Sequence, residues 1–166
     1  MPLSRGAPSL RNYRDHLRLL ALWIHDLARL GVDRPRLDAE AHAIEADLHE
    51  CARLLGESPA PAREGASLSC EASSAPPARH WGARYVLEGS RLGATFLHRQ
   101  LAGALAPHSL AYLSGAGWVR DGAWRDFLSQ LQQHVATPAD VRDACDGAEA
   151  AFSLLLRRCE AQATVL

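Results

Sequence analysis

The sequence predicts an all-α fold, a helical bundle in one domain. Two observations carry this. Apolar residues recur at steps of three and four through almost the whole chain, which gathers them on one face of a helix. No run alternates polar and apolar residues as a half-buried strand would. The length of 166 residues suits one domain able to bury about 70% of its unfolded surface. The domain is expected to span 1–166, interrupted by a loop at 56–77 and an irregular connection at 107–122.

The first helix is drawn by Leu10, Tyr13, Leu17, Leu20, Ile24 and Leu27, with Ser9 as its cap and Gly31 as its stop. The second repeats the pattern with Leu37, Ala41, Ile44, Leu48, Cys51 and Leu55, and Gly56 closes it. Residues 56–77 are rich in Pro, Ser, Ala and Gly and lack a period, so they read as a loop. The third helix runs from about Ala78 to Leu105 and holds Gly82, Gly89 and Gly93 in its interior. Each interior glycine costs about 1 kcal/mol relative to alanine, so three require a reason. A short helix follows the second irregular stretch, with Trp124, Phe127, Leu128 and Leu131 on one face. Thr137, Pro138 and Asp140 form a helix start. The last helix carries Val141, Cys145, Ala148, Phe152, Leu155 and Cys159 as its apolar face.

Composition excludes several function classes. The net charge of −1 gives no bulk attraction for nucleic acid or an anionic membrane, and no stretch has the length of a transmembrane helix. All 18 basic residues are arginine, a side chain able to grip carboxylates with two parallel hydrogen bonds. Cys51, Cys70, Cys145 and Cys159 show no C-x-x-C spacing, so no zinc or redox motif is present. They read as reduced thiols, three of them on apolar helix positions. No apolar leader follows Met1, and the expected location is cytoplasmic.

The informative stretch is Trp81–Phe96, W-G-A-R-Y-V-L-E-G-S-R-L-G-A-T-F. Gly89 and Gly93 stand four apart and share a helix face. Such a face lets another body approach bare backbone, either a neighbouring helix or a flat ligand, and the spacing alone favours the helix.

The string Y-V-L-E-G-S-x-L-G at Tyr85–Gly93 resembles the distal-helix signature of biliverdin-producing heme oxygenases, especially the bacterial type associated with bacteriophytochromes. Leu10–Arg14 with His16 and Leu17 resembles that family's second helix. Trp124–Leu128 resembles the helix after the distal one, and Ala148–Phe152 the closing helix. The resemblance implies a heme oxygenase-like bundle with heme between the family's first helix, which this chain is expected to lack, and the distal helix, the third here. It implies opening of heme to biliverdin, carbon monoxide and ferrous iron, using O2 and an external electron donor such as a ferredoxin or flavin reductase. A bacteriophytochrome would be the consumer of the biliverdin. Gly89 and Gly93 match the glycines that lie over the heme on its oxygen-binding side. Ser90 stands where some relatives place an acid that organises water, and Glu88 is expected to make a structural hydrogen bond. Arg84, Arg91 and Arg125 are candidates for the heme carboxylates by location, although each reads first as a solvent-facing arginine. Tyr85 and Phe96 are candidates for heme contact, with the core as the other assignment.

The chain departs from the family in one respect. Relatives hold the iron through a histidine on a helix that precedes the part matched here, so the bundle is expected to lack its first helix. His16 and His25 are weak substitutes. A bundle without that helix would expose an apolar stripe and invite a homodimer. A non-catalytic heme or bilin carrier, or an interaction module, is therefore the alternative function. His42, Glu45 and His49 share a helix face, a spacing comparable to di-iron carboxylate bundles. The repeated Glu-x-x-His of those proteins is absent, and a solvated polar face is expected instead. A di-iron or thiamin-processing enzyme of the same bundle class is the third reading.

Overall fold

The computed structural model describes residues 8–58, 77–116 and 119–163. Six α-helices follow in order: α1 Leu10–Leu27, α2 Arg34–Leu55, α3 Pro77–Leu101, α4 Ala111–Ser114, α5 Ala123–His134 and α6 Pro138–Ala163. No strand occurs among the described residues, so the all-α expectation holds.

The helix ends follow local chemistry. The Ser9 side chain accepts from the Asn12 amide at 3.2 Å, which satisfies one of the free amides of α1. A 3-10 turn at Ala28–Leu30 extends α1, and Gly31, at φ 79°, then ends it. Gly56, at φ 66°, closes α2 with its amide on the carbonyls of Ala52 and Arg53. Thr137 and Asp140 cap α6 reciprocally. The Thr137 amide donates to the Asp140 carboxylate at 2.9 Å, and the Asp140 amide donates to the Thr137 hydroxyl at 3.1 Å.

Two boundaries differ from the sequence reading. Helix α3 stops at Leu101, and turns carry the chain through 102–107. The connection expected to be irregular from 107 to 122 contains the single-turn helix α4. Distant residues hold that turn. Buried Asp47 of α2 accepts from the amides of Ala111 at 3.1 Å and Tyr112 at 3.0 Å, and from the Tyr13 hydroxyl at 2.6 Å. Leu110, just before α4, sits in the left-handed region at φ 51°. Its side chain is fully buried, and its amide donates to His108 Nδ1 at 2.9 Å. The loop expected at 56–77 lies mostly outside the described residues.

The core is centred on Tyr13, Leu17, Trp23, Ile44 and Leu87, each at most 1% exposed. Burying each such side chain contributes roughly 1.5–3 kcal/mol. Helix α6 lies chiefly along α3 and also along α1, while α2 packs on α1. The α1–α6 contact is pinned at its polar points. The Trp23 indole donates to the Ala151 carbonyl at 3.0 Å, and Arg158 grips buried Asp26 with two bonds of 2.8 and 2.9 Å.

The expected apolar face of α6 is only half right. Ala148, Leu155 and Cys159 pack against the core, but Val141, Cys145 and Phe152 are exposed. The helix is so rich in alanine and other small residues that its period does not single out one stripe. Of the cysteines, Cys51 is a buried thiol, Cys145 is exposed and Cys159 half-buried, all three free; Cys70 lies outside the described residues.

Candidate ligand face on the third helix

The three interior glycines of α3 have two different explanations. Gly82 packs against α6 so closely that an added Cβ would overlap the Ala144 carbonyl. Gly147 of α6 does the same against the Arg79 carbonyl. These two glycines let the α3 and α6 backbones touch. Gly93 is different: nothing among the described residues lies within 4 Å of the position its Cβ would take. At Gly89 the only neighbour among the described residues is the Trp124 ring, at 3.8 Å. Helix packing therefore explains Gly82 and leaves Gly89 and Gly93 unexplained.

The residues around those two glycines form one strip. Tyr85, Gly89, Leu92, Gly93 and Phe96 recur at steps of three and four and so share a face of α3. Tyr85 is 43% exposed, Leu92 57% and Phe96 60%. The core assignment for Tyr85 and Phe96 is thus overturned: both stand on the surface of the described residues. Large apolar side chains exposed together mark a surface that takes a partner or a ligand. The α5 aromatics wall one end of the strip, with Tyr85 and Trp124 5.5 Å apart between ring centres, and Trp124 and Phe127 5.7 Å apart.

A second stripe of α3 faces α2 and is ionic. Arg36 holds Glu88 with bonds of 2.7 and 2.9 Å. Arg91 pairs with Glu40, and Arg36 reaches the same carboxylate at 3.3 Å. Glu40 is fully buried and Glu88 nearly so. Burial pushes the Glu40 carboxyl up to about 7 against the pull of Arg91 and Arg36. Burial also lowers the Arg91 guanidinium, against the pull of Glu40. Glu88 makes the structural bonds expected of it.

The remaining candidates are dispersed. Arg91, proposed for a heme carboxylate, is half-buried and paired with Glu40 over the Tyr112 ring. Arg84 stacks over Trp81 and Phe127 at 5.3 and 5.2 Å and lies 3.7 Å from both Asp33 and Glu88. With Arg36 and Arg120 it borders a shallow cleft of about 210 Å³. Arg125 is exposed on α5. Ser90 lies off the strip, and its hydroxyl donates to the Leu87 carbonyl at 2.7 Å, leaving the oxygen as an acceptor.

No histidine of the chain is on the strip. His16 is 4% exposed within the core face of α1, and burial lowers its pKa to about 4. His25 is half-buried on the same helix. His42, Glu45 and His49 are all exposed, the solvated face expected of them. Asp47, Glu50 and His108 bring three donor atoms within 4.8 Å of one another. Backbone amides and the Tyr13 hydroxyl already occupy Asp47, and the Leu110 amide occupies His108 Nδ1, so this cluster is a latch for α4.

Sequence reasoning missed Glu40, Arg36 and Leu92. Leu92 was accessible, since it stands three residues after Gly89. Glu40 was not, because an acid among arginines and alanines on a helix reads as solvated.

No helix among the described residues is long and apolar enough to cross a membrane. No family model and no solved structure matches the chain. It is similar to a protein named heme oxygenase from Xanthomonas campestris pv. campestris (strain 8004), 37% identical over 109 residues. The match covers 64% of this chain and 61% of that relative, so the chain spans less than two thirds of the relative's length.

Proposed function

We propose that the chain is a heme oxygenase-type protein that takes heme against the Tyr85–Phe96 strip of α3. One observation carries the reading: Gly89 and Gly93 leave α3 bare on an exposed apolar face where no described helix needs the room. The similarity to a heme oxygenase supports the choice of ligand. The face fits a flat macrocycle. Gly93 offers open backbone, while Leu92, Phe96 and Tyr85 offer apolar contact. Full contact by a planar ring would remove these side chains from water, a gain of about 25 cal/mol per Å².

Bound heme would itself supply the oxidising chemistry with O2 and external electrons, giving biliverdin, carbon monoxide and ferrous iron. The protein's part is positional. Gly89 and Gly93 would let the ring approach the α3 backbone, and Trp124 walls one end of the strip. Ser90, with a free acceptor oxygen, can hold a water beside the helix. Arg84, next to Tyr85 on α3, and Arg125, next to Trp124 on α5, are the cations proposed for the heme carboxylates. A ferredoxin or flavin reductase is the proposed electron source, and a bacteriophytochrome the proposed biliverdin acceptor. The proposed location is cytoplasmic.

A second reading is a non-catalytic carrier of heme or a bilin. The burial of His16, which removes one substitute ligand from reach, favours it. A histidine buried in the core with its pKa near 4 is a poor candidate to reach a surface-bound iron.

Hemin titration followed by absorbance tests both. A sharp Soret band saturating at one heme per chain, converting to a biliverdin spectrum with reductant and O2, supports the oxygenase. The same band without conversion supports the carrier. A broad spectrum of free hemin throughout would reject both.

A further inference from the structure

Two ion pairs bracket Gly89. Glu88, one residue before it, is held by Arg36; Arg91, two residues after it, is held by Glu40. Both partners come from α2, one helical turn apart. The stripe Arg84–Glu88–Arg91 lies about a third of a turn around α3 from the strip Tyr85–Gly89–Gly93, at about 100° per residue. The α2 ion pairs therefore grip α3 beside the strip.

The rest of α3 offers weak guidance at this level. From Gly89 to Gln100 only Gly89, Arg91, Ala94, Leu97 and His98 are even half-buried. Alanine and leucine contacts tolerate rotation and sliding, because dispersion contacts are non-directional. A guanidinium on a carboxylate is directional. Glu40 is 0% exposed in a core region, a placement that adds little stability over an apolar pair but can select one arrangement.

We propose that Glu40, acting through Arg91, is a positioning residue that fixes the half of α3 beyond its Gly82 contact with α6, and so the direction in which the Gly89–Gly93 strip faces. The functional meaning rests on the strip being the ligand face; the positioning effect does not. Tyr112 of α4 completes the arrangement, its buried ring 5.9 Å from the Arg91 guanidinium. The pair thus ties α2, α3 and α4 at the height of the glycines.

The test separates positioning from stability. Spin labels go at Glu45→Cys on α2 and Gln100→Cys on α3, both exposed positions. The background carries serine at Cys70, Cys145 and Cys159 and keeps buried Cys51. Electron–electron distances are compared between this protein and the same protein with Glu40→Leu and Arg91→Met. The double variant is expected to melt within a few degrees of the parent or above it, while its distance distribution at least doubles in width or splits. An equally narrow, unshifted distribution would overturn the proposal. Should the double variant not melt cooperatively, Glu40→Gln is read in the same way. Loss of folding in both would also overturn it, since the pair would then be a stability element. Hemin titration of the same proteins adds a separate arm, with binding at least tenfold weaker in the double variant. A parent that binds no hemin rejects the proposed function alone and leaves the distances to decide the positioning role.

Discussion

The two halves of α3 use glycine for opposite purposes. Around Gly82 the helix is closed: its backbone lies on that of α6, and the missing side chain is filled by the Ala144 carbonyl. Around Gly93 the helix is open, and the missing side chain leaves space among the described residues. The cost of an interior glycine is the same in both places. At Gly82 the fold recovers it through contact with α6. At Gly93 nothing described recovers it, and under the proposed function the benefit comes from something bound.

Substitution by alanine should separate the two halves most strongly. Gly82→Ala or Gly147→Ala puts a methyl into backbone that cannot step aside. Each should cost about 3 kcal/mol or more, or prevent cooperative folding, as read by urea titration. If either variant were as stable as the parent, the closed half would not be closed.

The buried core should also be sensitive to acid. His16 is held neutral by burial, its pKa lowered from 6.5 to about 4. A lowered folded pKa means that the unfolded chain takes the proton first. The His16 contribution is therefore intact above pH 6.5 and is lost as pH falls toward 4, by roughly 3 kcal/mol. His16→Gln should flatten this part of the stability–pH curve. An unchanged slope between pH 6.5 and 4 would mean that His16 is not neutral and buried.

The open half should respond in the other direction and least. Gly93→Ala meets no neighbour and replaces a poor helix former by the best one. It should stabilise the unliganded chain by about 1 kcal/mol. Destabilisation would show that another part of the chain already occupies the strip.

The sequence made local features legible and left non-local ones hidden. The caps at Ser9 and Thr137 and the stops at Gly31 and Gly56 depend on residues within a few positions, and all four are where the pattern puts them. The glycine pair of the strip was visible as a spacing, but the spacing could not say which glycine meets a helix and which meets open space. Gly82 and Gly147 lie on helices separated in sequence by α4 and α5, and only the fold brings each near the other's helix. Helix α4 escaped notice because a four-residue turn has no period, and the carboxylate that caps it is Asp47, 64 residues from Ala111. The Glu40–Arg91 pair was hidden in the same way, 51 residues apart. The face of α6 was misread because alanine fits core and surface alike.

The most direct test of the open strip is hemin titration of the parent chain beside Gly93→Leu. The leucine fills the strip from a position with no neighbour in the described fold, so folding should be kept. The strip reading predicts a sharp Soret band at one heme per chain in the parent and at least a tenfold loss of affinity in Gly93→Leu at an equal or higher melting temperature. Equal hemin affinity in the two proteins would contradict it and place any heme site elsewhere on the molecule.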